Sequence, residues 1–253
     1  ESGYIHDGYV DNDTLYACHI NAGYFSMVDM HDKANPQVLG TMDTPGFFTH
    51  SSWLLNDRKH LLTTDERRPS FVTAYDVSDP SDIRETDRIA TSPNGRSSIA
   101  HNIHVLNDWA VTSWYIDGVV IIDAHRPDNL VQVGNYDTYP GGSGSGFFGC
   151  WGVYPYLPSG NIIASNINDV PNSSNGKLFV LTPNYVRGCY LEGIVTDAVS
   201  GNVINGATIQ VLSTPAQTET SSANGVYKMG RVDGGTFTLK ANKTNYQTYS
   251  TTV

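Results

Sequence analysis

Three histidines, His6, His50 and His101, each open a strand-rich unit of this 253-residue chain. In a repeat architecture, equivalent positions of successive units converge in space although they lie far apart in sequence. Three imidazoles brought together this way suit Zn, Cu, Fe or Ni, with an open position left for water or a ligand. Asp7, Glu66 and Asn102 are the polar groups expected nearby, able to hold the rings in orientation. The fourth unit has Trp151 at the equivalent place, which breaks the set. A structural reading stands beside the metal one: each histidine could instead hydrogen-bond a neighbouring unit's backbone and hold the repeats together. Asp65 and Glu66 form a carboxylate pair fit for acid–base work or for calcium. Arg67 and Arg68 follow at once, however, and favour a self-contained loop salt bridge. His60 and His104 fall where the solvent faces of strands are expected. Familiar hydrolase and phosphate signatures are missing. There is no Gly-x-Ser-x-Gly and no His-Glu-x-x-His, and the glycine-rich run Gly141 to Gly146 leads into Phe147 and Phe148, not into Lys and a helix.

What must position these residues is a repeat. Phe25 to Asp29, Val72 to Asp76 and Val119 to Asp123 are β-favouring runs that close on aspartate, with a weaker copy from Leu178 to Thr182. They recur at roughly 45 to 60 residues, a period typical of a propeller blade. Registering the copies on that residue gives strand, turn, strand, turn, strand, loop, strand in each unit, the four antiparallel strands a blade requires. Units two and four fit with insertions, at Asp65 to Ser70 and in the Asn-rich stretch Asn166 to Gly176, while Gly141 to Gly146 reads as a flexible joint. No helical period of apolar residues persists for three turns. The expected fold is all-β: a propeller over residues 1–187 with four blades visible, either a four-bladed ring or the ordered part of a larger propeller. Two stacked sandwiches are the competing arrangement. From Cys189 the texture changes to strict alternation broken by Asn224-Gly225 and Gly234-Gly235 turns, which predicts a small β-sandwich over residues 188–253. That second domain shows no acid, base or metal cluster and reads as a spacer or interaction module.

Composition narrows the function classes. Charged residues make up only 16% and the net charge is −10, which excludes nucleic acid and anionic membrane as partners. No apolar run reaches the length needed to span a bilayer. Tyr, Gly, Ser, Thr and Asn dominate, a mix typical of extracellular all-β proteins. Glu1 stands directly before a strand, which reads as a processed or truncated start. Of the three cysteines, a Cys150–Cys189 pair would tie the last repeat to the following domain, and three buried free thiols are the alternative. Tyr139, Phe147, Phe148, Trp151, Tyr154 and Tyr156 crowd a Gly-rich stretch, readable as an exposed partner-binding surface or as packing between blades.

The repeats resemble the LVIVD-type repeats of the choice-of-anchor B family of bacterial surface proteins. The matching stretches are Thr49 to Trp53 with Thr64 to Glu66, Ala100 to Ile103, Val119 to Asp123 and, most specifically, Gly134 to Pro140 and Gly152 to Gly160. The C-terminal part is similar to carboxypeptidase regulatory-like domains through Gly193, Val195 and Asp197, Gly206-Ala207, Asn224-Gly225 with Tyr227, and Gly234-Gly235; this implies a prealbumin-like sandwich. The first resemblance implies a secreted or outer-surface bacterial protein and no established chemistry, its anchoring segment not visible after Val253. The combined expectation is a non-enzymatic binding or adhesion platform for a protein or glycan at the cell surface, with no nucleic-acid partner, no direct membrane insertion and no required cofactor. The alternative is a metal-dependent enzyme whose site lies on the propeller axis at His6, His50 and His101, with a transition metal or calcium as cofactor.

Overall fold

The computed structural model describes residues 3–91, 97–142, 144–213 and 216–253. Ser143, within the expected joint, lies outside them. Two compact units divide the chain, Glu1–Arg187 and Gly188–Val253. The first holds four antiparallel sheets. Blade one is β1 (Asp7–Asp11), β2 (Thr14–His19), β3 (Tyr24–Asp29) and β4 (Gln37–Asp43). Blade two is β5 (Thr49–Leu54), β6 (His60–Asp65), β7 (Val72–Asp76) and β8 (Arg84–Ile89). Blade three is β9 (Ala100–Leu106), β10 (Trp109–Trp114), β11 (Gly118–Asp123) and β12 (Val131–Tyr136). Blade four is β13 (Cys150–Tyr154), β14 (Ile162–Asn166) and β15 (Lys177–Leu181). Each blade runs in chain order, and the first strands pack side by side: β1 on β5, β5 on β9, β9 on β13.

Local chemistry explains the repeat. In blades one and three the first hairpin closes on two residues with positive φ, Asn12 and Asp13 in one, Asn107 and Asp108 in the other. A two-residue turn of this hand matches the strands' twist, and Asn and Asp tolerate the left-handed region better than other side chains. The β-branched runs face the neighbouring blades. Between blades one and two lie Tyr16, Phe25, Met27, Leu54, Leu61 and Tyr75; between two and three lie Leu62, Val72, Ile103, Val120, Ile122 and the fully buried Trp114. Burying such side chains contributes about 1.5–3 kcal/mol each. The outward sides of the first and last blades are different: Val10, Val38, Leu178 and Val180 remain exposed there.

Two expectations are corrected. Blade four has three strands, not four, among the described residues. After β15 the chain leaves the sheet and lies against blade three. Trp109 Nε1 donates to the Val186 carbonyl at 2.9 Å, and the Arg187 guanidinium stacks 3.9 Å above the Trp109 ring while bonding the Asp123 carboxylate at 2.6 Å. Those contacts hold Val186 and Arg187 on blade three and not along β15. The Cys150–Cys189 pair does not form either. All three cysteines are free, and Cys18 and Cys150 are buried small side chains whose thiols burial pushes up to about 12, where they stay protonated.

The second unit is a small sandwich. One sheet pairs β16 (Cys189–Ile194) with β19 (Val226–Arg231). The other is ordered β18 (Gln217–Thr220), β17 (Thr208–Leu212), β20 (Thr238–Asn242), β21 (Tyr249–Thr252). Ile204, Ala207, Ile209, Val211, Met229 and Leu239 fill the space between them.

Candidate functional site

The first strands of blades two, three and four share an irregularity at one place. On β5, Thr49 pairs with Asp65 and Ser51 with Thr64, so His50 is an extra residue. On β9, His101 and Asn102 together face the single residue Ser113. On β13, Trp151 is the extra residue between Cys150 and Gly152. A β-bulge bends its strand and re-aims a side chain. Here it turns His50, His101 and Trp151 toward one another at the inner edge of the blades. His6 precedes β1 and joins the row, its N–H bonded to the Cys18 carbonyl.

The ring centroids of His6 and His50 are 4.5 Å apart, those of His50 and His101 4.1 Å, and those of His101 and Trp151 5.1 Å. Two further residues come from the connections that follow β6 and β10. Glu66 extends its carboxylate among the imidazoles, 3.8 Å from His50 Nε2 and 3.5 Å from His101 Nε2. Tyr115 donates its hydroxyl proton to Glu66 Oε1. Burial, with the carboxylate beside it, raises the Tyr115 pKa, so the phenol remains a donor.

His50 and His101 are almost completely buried, at 4% and 3% exposure, whereas His6 is exposed. Burial, reinforced by the two flanking imidazoles, pushes His50 down to about 2. Burial likewise holds His101 below its ordinary value, against the Trp151 carbonyl bond and the Glu66 charge, which favour the proton. Both rings are therefore neutral at physiological pH, the form that ligates metals. The Trp151 carbonyl fixes one tautomer. It accepts from His101 Nδ1, from Ser113 Oγ at 2.9 Å and from Asn102 Nδ2 at 3.2 Å. A carbonyl only accepts, so His101 carries its proton on Nδ1 and turns its Nε2 toward Glu66.

The geometry revises several expected roles. Glu66, expected near the rings, lies among them, 3.8 Å from His50 and 3.5 Å from His101. The expected loop salt bridge is replaced: among the described residues neither Arg67 nor Arg68 pairs with Asp65 or Glu66. Asp65 points elsewhere, its buried carboxylate taken by the Thr44 hydroxyl at 2.5 Å and by the Gly46 and Phe48 amides at 3.0 Å each. The pair is thus split, and Asp65 is spent as a structural acceptor, so the two carboxylates do not form a calcium site. Asn102 Nδ2 shares the Trp151 carbonyl with His101 Nδ1. Asp7 accepts from the Gly8 amide at 2.8 Å.

Three residues further along the same strands lies a second row: Tyr9, Trp53, His104 and Tyr154. Trp53 is its hub, with ring centroids 4.5 Å from Tyr9, 4.8 Å from His104 and 5.6 Å from the stacked Tyr156. His104, expected on a solvent face, is instead wedged among these aromatics, and burial lowers its pKa. Beyond this row opens a pocket of about 340 Å³ lined by Tyr9, Asp11, Trp53, Asn56, Arg58 and Tyr156 among others. Of the aromatics expected to meet a partner, Phe147, Phe148, Trp151 and Tyr154 are each about half exposed, Tyr139 is buried beneath Phe148, and Tyr156 bonds the Val105 carbonyl at 2.8 Å. Tyr115, Tyr9 and Trp53 are site residues that the sequence reading missed. Registering the units on their second strand would have aligned Tyr115 with Glu66, since each directly follows that strand.

The C-terminal unit matches the carboxypeptidase regulatory-like domain over residues 190–253. No curated protein matches the chain. Among solved structures, the periplasmic gluconolactonase of Pseudomonas aeruginosa is similar over 96% of this chain and 69% of its own, at 13% identity and a TM-score of 0.50. A functionally unknown protein from Desulfotomaculum acetoxidans is similar over 95% of this chain and 66% of its own, at 12% identity and a TM-score of 0.46. The chain therefore spans about two thirds of the length of these structures. The likeness to the Pseudomonas protein is one of fold and supports a β-propeller for the first unit.

Proposed function

We propose that the chain is an exported, non-enzymatic binding platform of a bacterial surface, and that its propeller unit captures a glycan in the aromatic pocket. The observation that carries this reading is the pocket's wall. The mutually packed rings of Tyr9, Trp53 and Tyr156 give the pocket an apolar aromatic wall for a sugar's C–H groups, while Asn56 and the Asp11–Arg58 ion pair border it with polar groups for its hydroxyls. A cavity of about 340 Å³ is at the small end of ligand sites, a size suited to one or two sugar rings. The half-exposed Trp151 and Tyr154 extend the aromatic surface along the inner edge. Export accords with the resemblance of the repeats to choice-of-anchor B surface proteins and with the Tyr-, Gly- and Asn-rich composition. The C-terminal sandwich then serves as a spacer or an additional contact module.

Calorimetric titration with a panel of neutral mono- and disaccharides tests the reading. At least one sugar should bind, and Tyr9→Ala and Asn56→Ala should each weaken it by about tenfold, the loss of one good stacking or hydrogen-bonding contact. A panel without any binder, or binding indifferent to both substitutions, would remove the glycan reading in favour of a protein partner.

A further inference from the structure

We propose that His6, His50 and Glu66 form a binding site for a divalent first-row transition metal of the zinc class, with His101 placed to supply a fourth ligand. The site lies at the other end of the inner strands from the sugar pocket and does not depend on it.

Three independent observations support it. The first is convergence: one ligand atom from each of His6, His50 and Glu66 lies within 4.8 Å of the others, although the residues come from two blades and a connecting loop. The second is charge. The Glu66 side chain is only 14% exposed, and among the described residues it meets imidazoles and the Tyr115 phenol but no Lys or Arg. A carboxylate withdrawn from water costs several kcal/mol unless a cation compensates it. The third is aim. His101 Nδ1 is held on the Trp151 carbonyl, so Nε2 is the ring nitrogen turned to the cluster, 3.5 Å from a Glu66 carboxylate oxygen.

The donor set selects the metal class. Two imidazoles and a carboxylate suit Zn²⁺ and its first-row neighbours, whereas Ca²⁺ and Mg²⁺ prefer oxygen ligands throughout. Bonds of about 2.0–2.1 Å put tetrahedral ligand atoms roughly 3.3 Å apart. The present spacing is wider, so binding must draw the cluster inward. His6 is the member able to move, being exposed and lying ahead of β1 with its Nδ1 3.3 Å from the Tyr4 hydroxyl. Tyr115, bonded to Glu66, and the Trp151 carbonyl, bonded to His101, are the groups that would hold two of the ligands in orientation, a common arrangement around metals.

The test uses the full chain stripped with a chelator and titrated with Zn²⁺ by calorimetry, with Co²⁺ absorption as a report on ligand geometry. One metal per chain should bind, with affinity at least tenfold weaker in both His6→Gln and Glu66→Gln and unchanged in His60→Ala, whose ring is held by Asp57 away from the cluster. The first substitution is at an exposed position and the second is nearly isosteric, so circular dichroism should find both folded. The proposal is overturned if the wild-type chain takes up no Zn²⁺, or if either folded variant binds within tenfold of wild type. Asn56→Ala, which affects the sugar pocket, should leave the metal titration unchanged, so the two readings stand or fall separately.

Discussion

The two ends of the inner strands are built from the same backbone repeat and solve opposite problems. At the histidine end, a bulge in three successive blades turns two histidines and a tryptophan inward, and among the described residues the Glu66 carboxylate meets imidazoles and no Lys or Arg. At the aromatic end, three residues on, Trp53 packs against Tyr9, His104 and Tyr156, and the Asp11–Arg58 ion pair lies at the solvent rim. The aromatic end lowers its free energy through ring contact, because stacked and edge-on rings gain both area burial and quadrupole attraction, with the Tyr156 hydroxyl satisfied by the Val105 carbonyl. The histidine end does not. Its hydrogen bonds hold the groups in place while leaving a charge poorly compensated. That contrast is why the histidine end carries the metal proposal.

The contrast is open to direct attack. The largest effect is expected from Trp53→Ala, which removes the hub of the aromatic end and should cost about 3 kcal/mol in urea denaturation. A loss below about 1 kcal/mol would mean that the aromatic row is not a packing element. Next comes acid sensitivity at His104. Its folded pKa is depressed by burial, so the unfolded chain binds the proton more readily and stability falls as pH drops below about 6.5. The slope attributable to this residue is bounded by one proton, about 1.4 kcal/mol per pH unit. Comparing denaturation midpoints of wild type and His104→Gln between neutral and mildly acidic pH isolates it; identical slopes would show the ring is already solvated. The smallest effect is a gain. In metal-free protein, Glu66→Gln relieves a poorly compensated buried charge and should stabilise the fold by about 1 kcal/mol. A clear destabilisation instead would identify Glu66 as a structural acceptor for Tyr115.

Much of the architecture was written in local pattern. The aspartate-terminated β-branched runs, the Asn-Asp turns and the alternating C-terminal strands depend on interactions between near neighbours, and they place β3, β7 and β11 and the start of the sandwich. The row His6, His50, His101 and Trp151 followed from aligning those copies, and so did the break in the fourth copy. The companion row is legible by the same alignment, three residues further, although strand alternation alone places His104 on a solvent face. Regular alternation puts residues three apart on opposite faces, and the bulges in β5, β9 and β13 cancel that rule.

What the sequence alone determined is therefore the repeat, its period and the residue types that meet at the inner edge, because these follow from periodicity and turn chemistry. Tertiary structure decided the rest. Glu66 could be read equally as Arg67's partner or as an orienting group until packing turned Arg67 and Arg68 to solvent and left the carboxylate among the imidazoles. Asp65, its neighbour in sequence, was separated from it because three donors from the segment before β5 captured its oxygens. A carboxylate's role depends on which donors reach it first, and those donors come from other strands. Charge compensation is a property of the assembled neighbourhood, and no pattern along one chain specifies it.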